Sequence, residues 1–317
     1  MKHKKKVLTL TIGISLLIGG CGVSESGNNQ NGDNNSTEGE QNKNIYASVQ
    51  DYTGQGYALD SGEKTDKIAE KHREEIDKAI KEFFMEKYKT EVKVHNIVGA
   101  VDGASVFVES IGEPHLYTFA IVPIDLDTKE VLTEQIWTRE GQVEGAIKSG
   151  LYAMVFEKKV KNLDKYLEKF TSKHPITGVR EEKNENVGGV GYMTPYYYIT
   201  MFGEAFDPLY KMYLENPDRS KEEWKSALDL KNFDPNGYNI AIQLYMEKPN
   251  VDPSKDIFNQ LVTDLENMNN LPPAAYGVYL NDNRIHKESG SGTQDNTLER
   301  SVPNMIIKEL DKGDLNE

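Results

Sequence analysis

Val92-Lys93-Val94-His95-Asn96-Ile97-Val98-Gly99-Ala100-Val101-Asp102-Gly103 is rich in β-branched residues and ends on a dipeptide that favours a tight hairpin. It predicts a strand over 92–101 that turns back on itself. Residues 105–111 supply the returning strand, and Gly112-Glu113-Pro114 the next turn. A third strand follows over 116–124, then the turn Asp125-Leu126-Asp127-Thr128-Lys129 and a fourth strand over 131–138. Short extended segments joined by tight turns make an antiparallel meander. Just before it, Ile68, His72, Ile76, Ala79, Ile80, Phe83, Phe84 and Tyr88 recur at steps of three and four, with charges between them. Thr65 or Asp66 is the expected N-cap. The spacing predicts one long helix over 65–88 that buries Ile68, Ile76, Ile80, Phe83 and Phe84 against the meander. The fold class is therefore α+β, with a first domain over 45–176.

Outward toward the C-terminus, residues 142–156 carry Gly145, Ala146, Ser149, Gly150 and Ala153, small side chains that permit close contact with a sheet or another helix. Residues 162–170 are amphipathic. The Gly- and charge-rich stretch 177–191 reads as a loop or subdomain boundary. Beyond it the signals are mainly helical. Asp207-Pro208 opens a helix, Ser220 and Glu223 form a capping box for another, and Asp252-Pro253 opens a third that runs to Leu271. A short strand at 276–280, a polar loop at 281–296 and a last helix at 303–310 complete a mainly helical region over 177–317.

Outward toward the N-terminus, Lys2, Lys4, Lys5 and Lys6 precede an apolar stretch that is too short to span a bilayer, which takes roughly 20 apolar residues. Leu17-Ile18-Gly19-Gly20-Cys21 has the form of a lipobox, the site at which a lipoprotein signal peptidase cuts. Residues 1–20 are the expected signal peptide, and Cys21, the chain's one cysteine, the expected site of lipidation. Two or more acyl chains, palmitate among them, give stable anchoring. Residues 21–44 form a polar tether in which Val23 is the one apolar side chain after the cysteine. Its expected end-to-end span is roughly 25–30 Å.

Removing residues 1–20 takes away four lysines and no acid. The remaining chain carries 33 Lys+Arg against 51 Asp+Glu, a formal charge of −18. That excludes nucleic acid as a partner, since phosphate backbones require basic patches. With Cys21 on lipid, no disulfide, thiolate nucleophile or cysteine metal site remains. No two of the six histidines lie four residues apart, and no serine elbow, phosphate loop or dinucleotide fingerprint occurs. No cofactor, metal or catalytic residue is therefore expected. Asp125 and Asp127 lack the rest of a calcium loop and fit a hairpin turn. Ser61-Gly62-Glu63-Lys64 lacks the companion motifs of serine-lysine hydrolases, and His72 falls on an apolar helical stripe.

Tyr192, Tyr196, Tyr197 and Tyr198 crowd around Pro195. Such rings either fill a core or present a recognition patch for sugar rings or a protein partner. If the segment is extended, Tyr196 and Tyr198 share one face and Tyr197 takes the other. The loop Ser289-Gly290-Ser291-Gly292-Thr293-Gln294-Asp295-Asn296 is a second candidate, able to hold a small anion on backbone amides or to stand solvated.

The runs Val49-Gln50-Asp51-Tyr52-Thr53-Gly54, residues 94–103, residues 140–152, Thr194-Pro195-Tyr196-Tyr197 and Val278-Tyr279-Leu280-Asn281-Asp282-Asn283 resemble an uncharacterised Gram-positive lipoprotein family, domain of unknown function 1672. The resemblance covers the whole folded part. It implies a lipid-anchored surface protein and no particular activity, cofactor or ligand. The expectation is a lipoprotein on the outer face of the cell membrane, attached through Cys21, that binds an envelope protein or glycan or supports an envelope assembly. The alternatives are an envelope hydrolase with carboxylate chemistry and a transporter-associated solute-binding lipoprotein.

Overall fold

The meander forms where the turn residues direct it. In a computed structural model that describes residues 45–311, a short strand β1 (Tyr46–Ser48) precedes two helices, α1 (Glu63–Lys71) and α2 (Arg73–Tyr88). Next come β2 (Val92–Ala100), β3 (Gly103–Ser110), β4 (Tyr117–Asp125) and β5 (Glu130–Val131), in an antiparallel sheet of order β2-β3-β4-β5. The expected signal peptide 1–20, Cys21 and the tether to residue 44 lie outside the described residues.

Two features of this half differ from expectation. The single helix predicted over 65–88 is bent into α1 and α2 at His72 (φ −107°, ψ 19°). The start of α1 is fixed to the hairpin end of β2, where Asp66 Oδ1 accepts from Gly99 N at 2.6 Å and Thr65 Oγ1 donates to Ala100 O at 2.8 Å. The stripe continues through the bend as Thr65, Ile68, Ala69, Ile76, Ile80 and Phe84, so side-chain periodicity carries no trace of it. The fourth strand is also shorter than predicted. Leu132 N donates to Pro123 O, but Pro123 has no N–H to return the bond. Leu132 O accepts from Gln135 N instead, and the chain turns away in a 3₁₀ turn (Thr133–Gln135) before Trp137 bridges back to Ile121.

The chain continues through α3 (Gln142–Val155), α4 (Glu157–Thr171), β6 (Ile176–Thr177), α5 (Glu181–Asn186), β7 (Tyr192–Met193), β8 (Tyr197–Met201), α6 (Asp207–Glu215) and α7 (Lys221–Ala227). It ends in β9 (Tyr238–Met246), α8 (Lys255–Asn267), β10 (Ala275–Asn281), β11 (Arg284–His286), β12 (Leu298–Arg300) and β13 (Ile306–Ile307). The helices at 207 and 220 stand where their caps put them, and Ser220 and Glu223 make both bonds of the capping box. The third is capped by Ser254, whose Oγ accepts from Ile257 N.

The region from 177 onward is nevertheless not mainly helical. It holds most of a seven-stranded sheet of path β12-β10-β9-β8-β7, with β13 beside β10 and β6 beside β9. Strands β9 and β10 are parallel and joined through α8, whereas the other pairings are antiparallel. The helix expected at 303–310 is the short strand β13. The central strand β9 is buried at seven of its nine positions, so it shows no polar–apolar alternation.

Helix α3 packs against both β4 and β8. Gly150 lies so close to Pro114 and His115 that a Cβ would overlap them, and Ser149 Oγ accepts from Tyr192 N at 2.7 Å. Two of the small residues therefore serve the close contact expected of them, while Gly145 faces open space. One apolar cluster includes Ile80 and Phe84 of α2, Val106 and Val122 of the meander, Leu151 of α3, Leu163 of α4 and Ile240 of β9.

Candidate ligand-binding site

The tyrosine-rich segment and the glycine-rich loop, more than ninety residues apart in sequence, line one cavity of about 360 Å³. Strand β8 contributes Tyr197, Tyr198 and Thr200, with Tyr196 just before it. Gln243 comes from β9, Lys183 and Asn184 from α5, Met193 from β7, and Gly290 to Thr293 from the loop after β11.

Pleating sorts the tyrosines. Tyr197 is buried, and its hydroxyl donates to Asp164 Oδ1 of α4 at 2.7 Å. Burial pushes that phenol well above its ordinary range, and burial also raises the Asp164 carboxyl, against the opposing pull of the Tyr197 bond. Tyr196 and Tyr198 are half-buried, and neither hydroxyl has a hydrogen-bond partner among the described residues. Tyr192 is half-buried and stands outside the cavity lining, its ring edge-on to His115 at 5.9 Å. Of the four, Tyr196, Tyr197 and Tyr198 line the cavity and Tyr192 does not.

Glycines seat the loop. Gly290 (φ +67°) lies against Val187, and Gly292 lies against the Tyr245 ring, each too closely to admit a Cβ. The amides proposed for anion binding are mostly used inside the loop. Gly290 N donates to His286 O, Ser291 N to Ser289 Oγ and Thr293 N to Ser291 Oγ. An anion in this cavity would have to find its cation elsewhere, and Lys183 supplies one. Its ammonium has no hydrogen-bond or ion-pair partner among the described residues, and burial lowers its pKa from 10.5 to about 8.

Lys183 and Gln243 were missed from sequence for different reasons. Glu181-Glu182-Lys183-Asn184-Glu185-Asn186 looks like any solvated charge run, and Gln243 belongs to the central strand that lacks alternation. Among the described residues, no Asp, Glu or His lines the cavity. Elsewhere, Asp125 Oδ1 accepts from Asp127 N and Thr128 N, the bonds of a hairpin turn, and these hold its carboxyl below the usual range. His72 bonds Glu75 at 2.9 Å on the helix surface.

Fold and cavity together define a class: a mixed α+β protein with several antiparallel sheets and an aromatic-lined pocket that holds one unpaired cation. Within that class the chain belongs to the family described as protein of unknown function (DUF1672), whose profile matches residues 39–308. It is similar in structure to a DUF1672 family protein from Staphylococcus aureus subsp. aureus Mu50. The two are 20% identical with a TM-score of 0.67, over 84% of this chain and 99% of that one. At that identity the likeness concerns the fold. No curated protein matches the chain.

Proposed function

We propose that the chain is a lipid-anchored binding protein of the cell envelope and that its cavity holds a small acidic ligand of acidic-sugar type. The observation that carries the ligand reading is Lys183, a cation without a partner, lining the same cavity as two tyrosines with unbonded hydroxyls. Tyrosine faces suit the C–H face of a sugar ring, an ammonium suits its acid group, and Gln243 and Thr200 offer bonds to hydroxyls. Among the described residues, the lining carries no carboxylate or imidazole for acid–base work, which favours binding over the alternative of hydrolysis.

The anchor reading rests on the lipobox at Cys21, which would hold the body outside the cell membrane on its tether. No helix among the described residues is long and apolar enough to cross a membrane. Metabolic labelling with a fatty-acid analogue tests it: label should enter the wild-type chain and be absent from Cys21→Ala. Equal label in both would remove the anchor. The cavity is tested by thermal melts with glucuronate and with glucose. Glucuronate should raise the melting temperature of the wild type more than glucose does, and Tyr198→Ala should lose the difference.

A further inference from the structure

We infer a second site, apart from the cavity: His95, Glu109 and Glu185 form a binding site for a divalent transition-metal ion of the zinc type. The spacing of histidines and acids in sequence gives no hint of it, because the three residues come from β2, β3 and α5. Each offers one ligand atom, and these atoms lie within 4.8 Å of one another.

The fold assembles the group by two devices. Lys93 is opposite Glu109 in the β2–β3 register, so His95, two residues on, lies on the same face as Glu109. The register then shifts between Val94 and Ile97, a bulge that leaves His95 and Asn96 facing one residue of β3. His95 Nε2 comes within 2.8 Å of Glu109 Oε2. Asn96 Nδ2 donates to Asn186 O at 2.9 Å, tying the bulge to the end of α5. That bond holds α5 where Glu185 reaches the other ring nitrogen, with its Oε2 3.7 Å from His95 Nδ1.

The donor set and its partial burial point to a cation. The His95 side chain is 5% exposed, and those of Glu109 and Glu185 are 20% and 23% exposed. Two partly desolvated carboxylates, Glu109 and Glu185, converge on the His95 imidazole. The nearest lysine, Lys93, stands 3.9 Å from Glu185 and is 60% exposed. A divalent ion would neutralise both acids. One imidazole nitrogen with two carboxylate oxygens is a donor set for zinc or a similar first-row ion, whereas calcium and magnesium take oxygen alone. Ligands about 2.0–2.2 Å from a tetrahedral ion lie roughly 3.3–3.6 Å apart. The His95–Glu109 bond would open by about half an ångström, and Glu185, on a short surface helix, would swing in. His115, whose Nδ1 is 3.8 Å from Glu109 Oε1, stands next to the group.

The test is a zinc titration of the metal-stripped full chain against a chromophoric competitor, repeated with Glu185→Gln and Glu109→Gln. The wild type should hold one zinc, excess magnesium should not displace it, and each variant should bind at least tenfold more weakly. Cobalt should give a ligand-field absorption that both variants lose. Glu185 is on a short helix at the edge of the group, where Gln keeps its shape, so Glu185→Gln should fold like the metal-free wild type and decides the matter even if Glu109→Gln fails to fold. A wild type that binds no zinc, or a Glu185→Gln chain that binds it as tightly, overturns the site.

Discussion

Lys183 shows how much one residue depends on its surroundings. In sequence it is one lysine in a charged hexapeptide; in the fold its ammonium loses part of its water and gains no partner among the described residues. The sign of the consequence is fixed. With a folded pKa of about 8 and an ordinary value of 10.5, the unfolded chain binds more protons between those pH values, so this residue makes stability rise with pH across that window. Below about pH 8 the folded chain bears the whole desolvation cost. Lys183→Met should therefore stabilise the protein at pH 7, on the order of 1–2 kcal/mol once its partial contact with solvent is allowed for. In denaturant titrations the gain should shrink between pH 8 and 10.5; a gain unchanged at pH 10.5 would mean that packing and not charge was responsible. The tyrosines were more legible, because strand alternation alone separates Tyr197 from Tyr196 and Tyr198. Tyr197→Ala should cost about 3–5 kcal/mol, while Tyr198→Ala should cost markedly less. Equal losses in thermal melts would refute that division.

At the scale of elements, turns and caps were readable because their chemistry is local. The hairpin forms at the predicted place, turning on Val101-Asp102 with Gly103 opening β3 opposite Ala100, and Ser220 with Glu223 starts α7 where predicted. The helix bend, the short β5 and the strand β9 were not, because each is decided by what lies opposite. Gly99 illustrates such a partner effect. A Cβ there would overlap Gly62 O and Asp66 N, so only glycine lets the start of α1 lie on β2 and receive the Gly99 N–H on Asp66. Gly99→Ala should cost about 1–3 kcal/mol or more, read in denaturant midpoints, and a variant as stable as wild type would contradict this contact. The runs that carry the family resemblance have similar structural work. Asn283 Nδ2 donates to Gln50 Oε1, Met246 O and Glu247 O, while Val49 N donates to Asn283 O, so residues 49–54 and 278–283 interlock.

At the scale of the whole molecule, the α+β class was legible but the architecture of the second half was not. Helices announce themselves with caps, and the antiparallel meander with tight turns. Strand β10 was legible as the short strand at 276–280, but its parallel partner β9, buried at seven of nine positions, carried neither cap nor turn and was lost. The cavity suffered the same way: its tyrosines and loop were visible as separate features, and only the sheet joins them to Lys183. The central claim is that this junction binds an acidic ligand, and calorimetric titration of the purified chain with glucuronate and with glucose tests it most directly. The wild type should bind glucuronate at least tenfold more tightly than glucose, and Lys183→Met should bring the two to equality. Equal binding by the wild type, or an undiminished preference in Lys183→Met, would contradict the account.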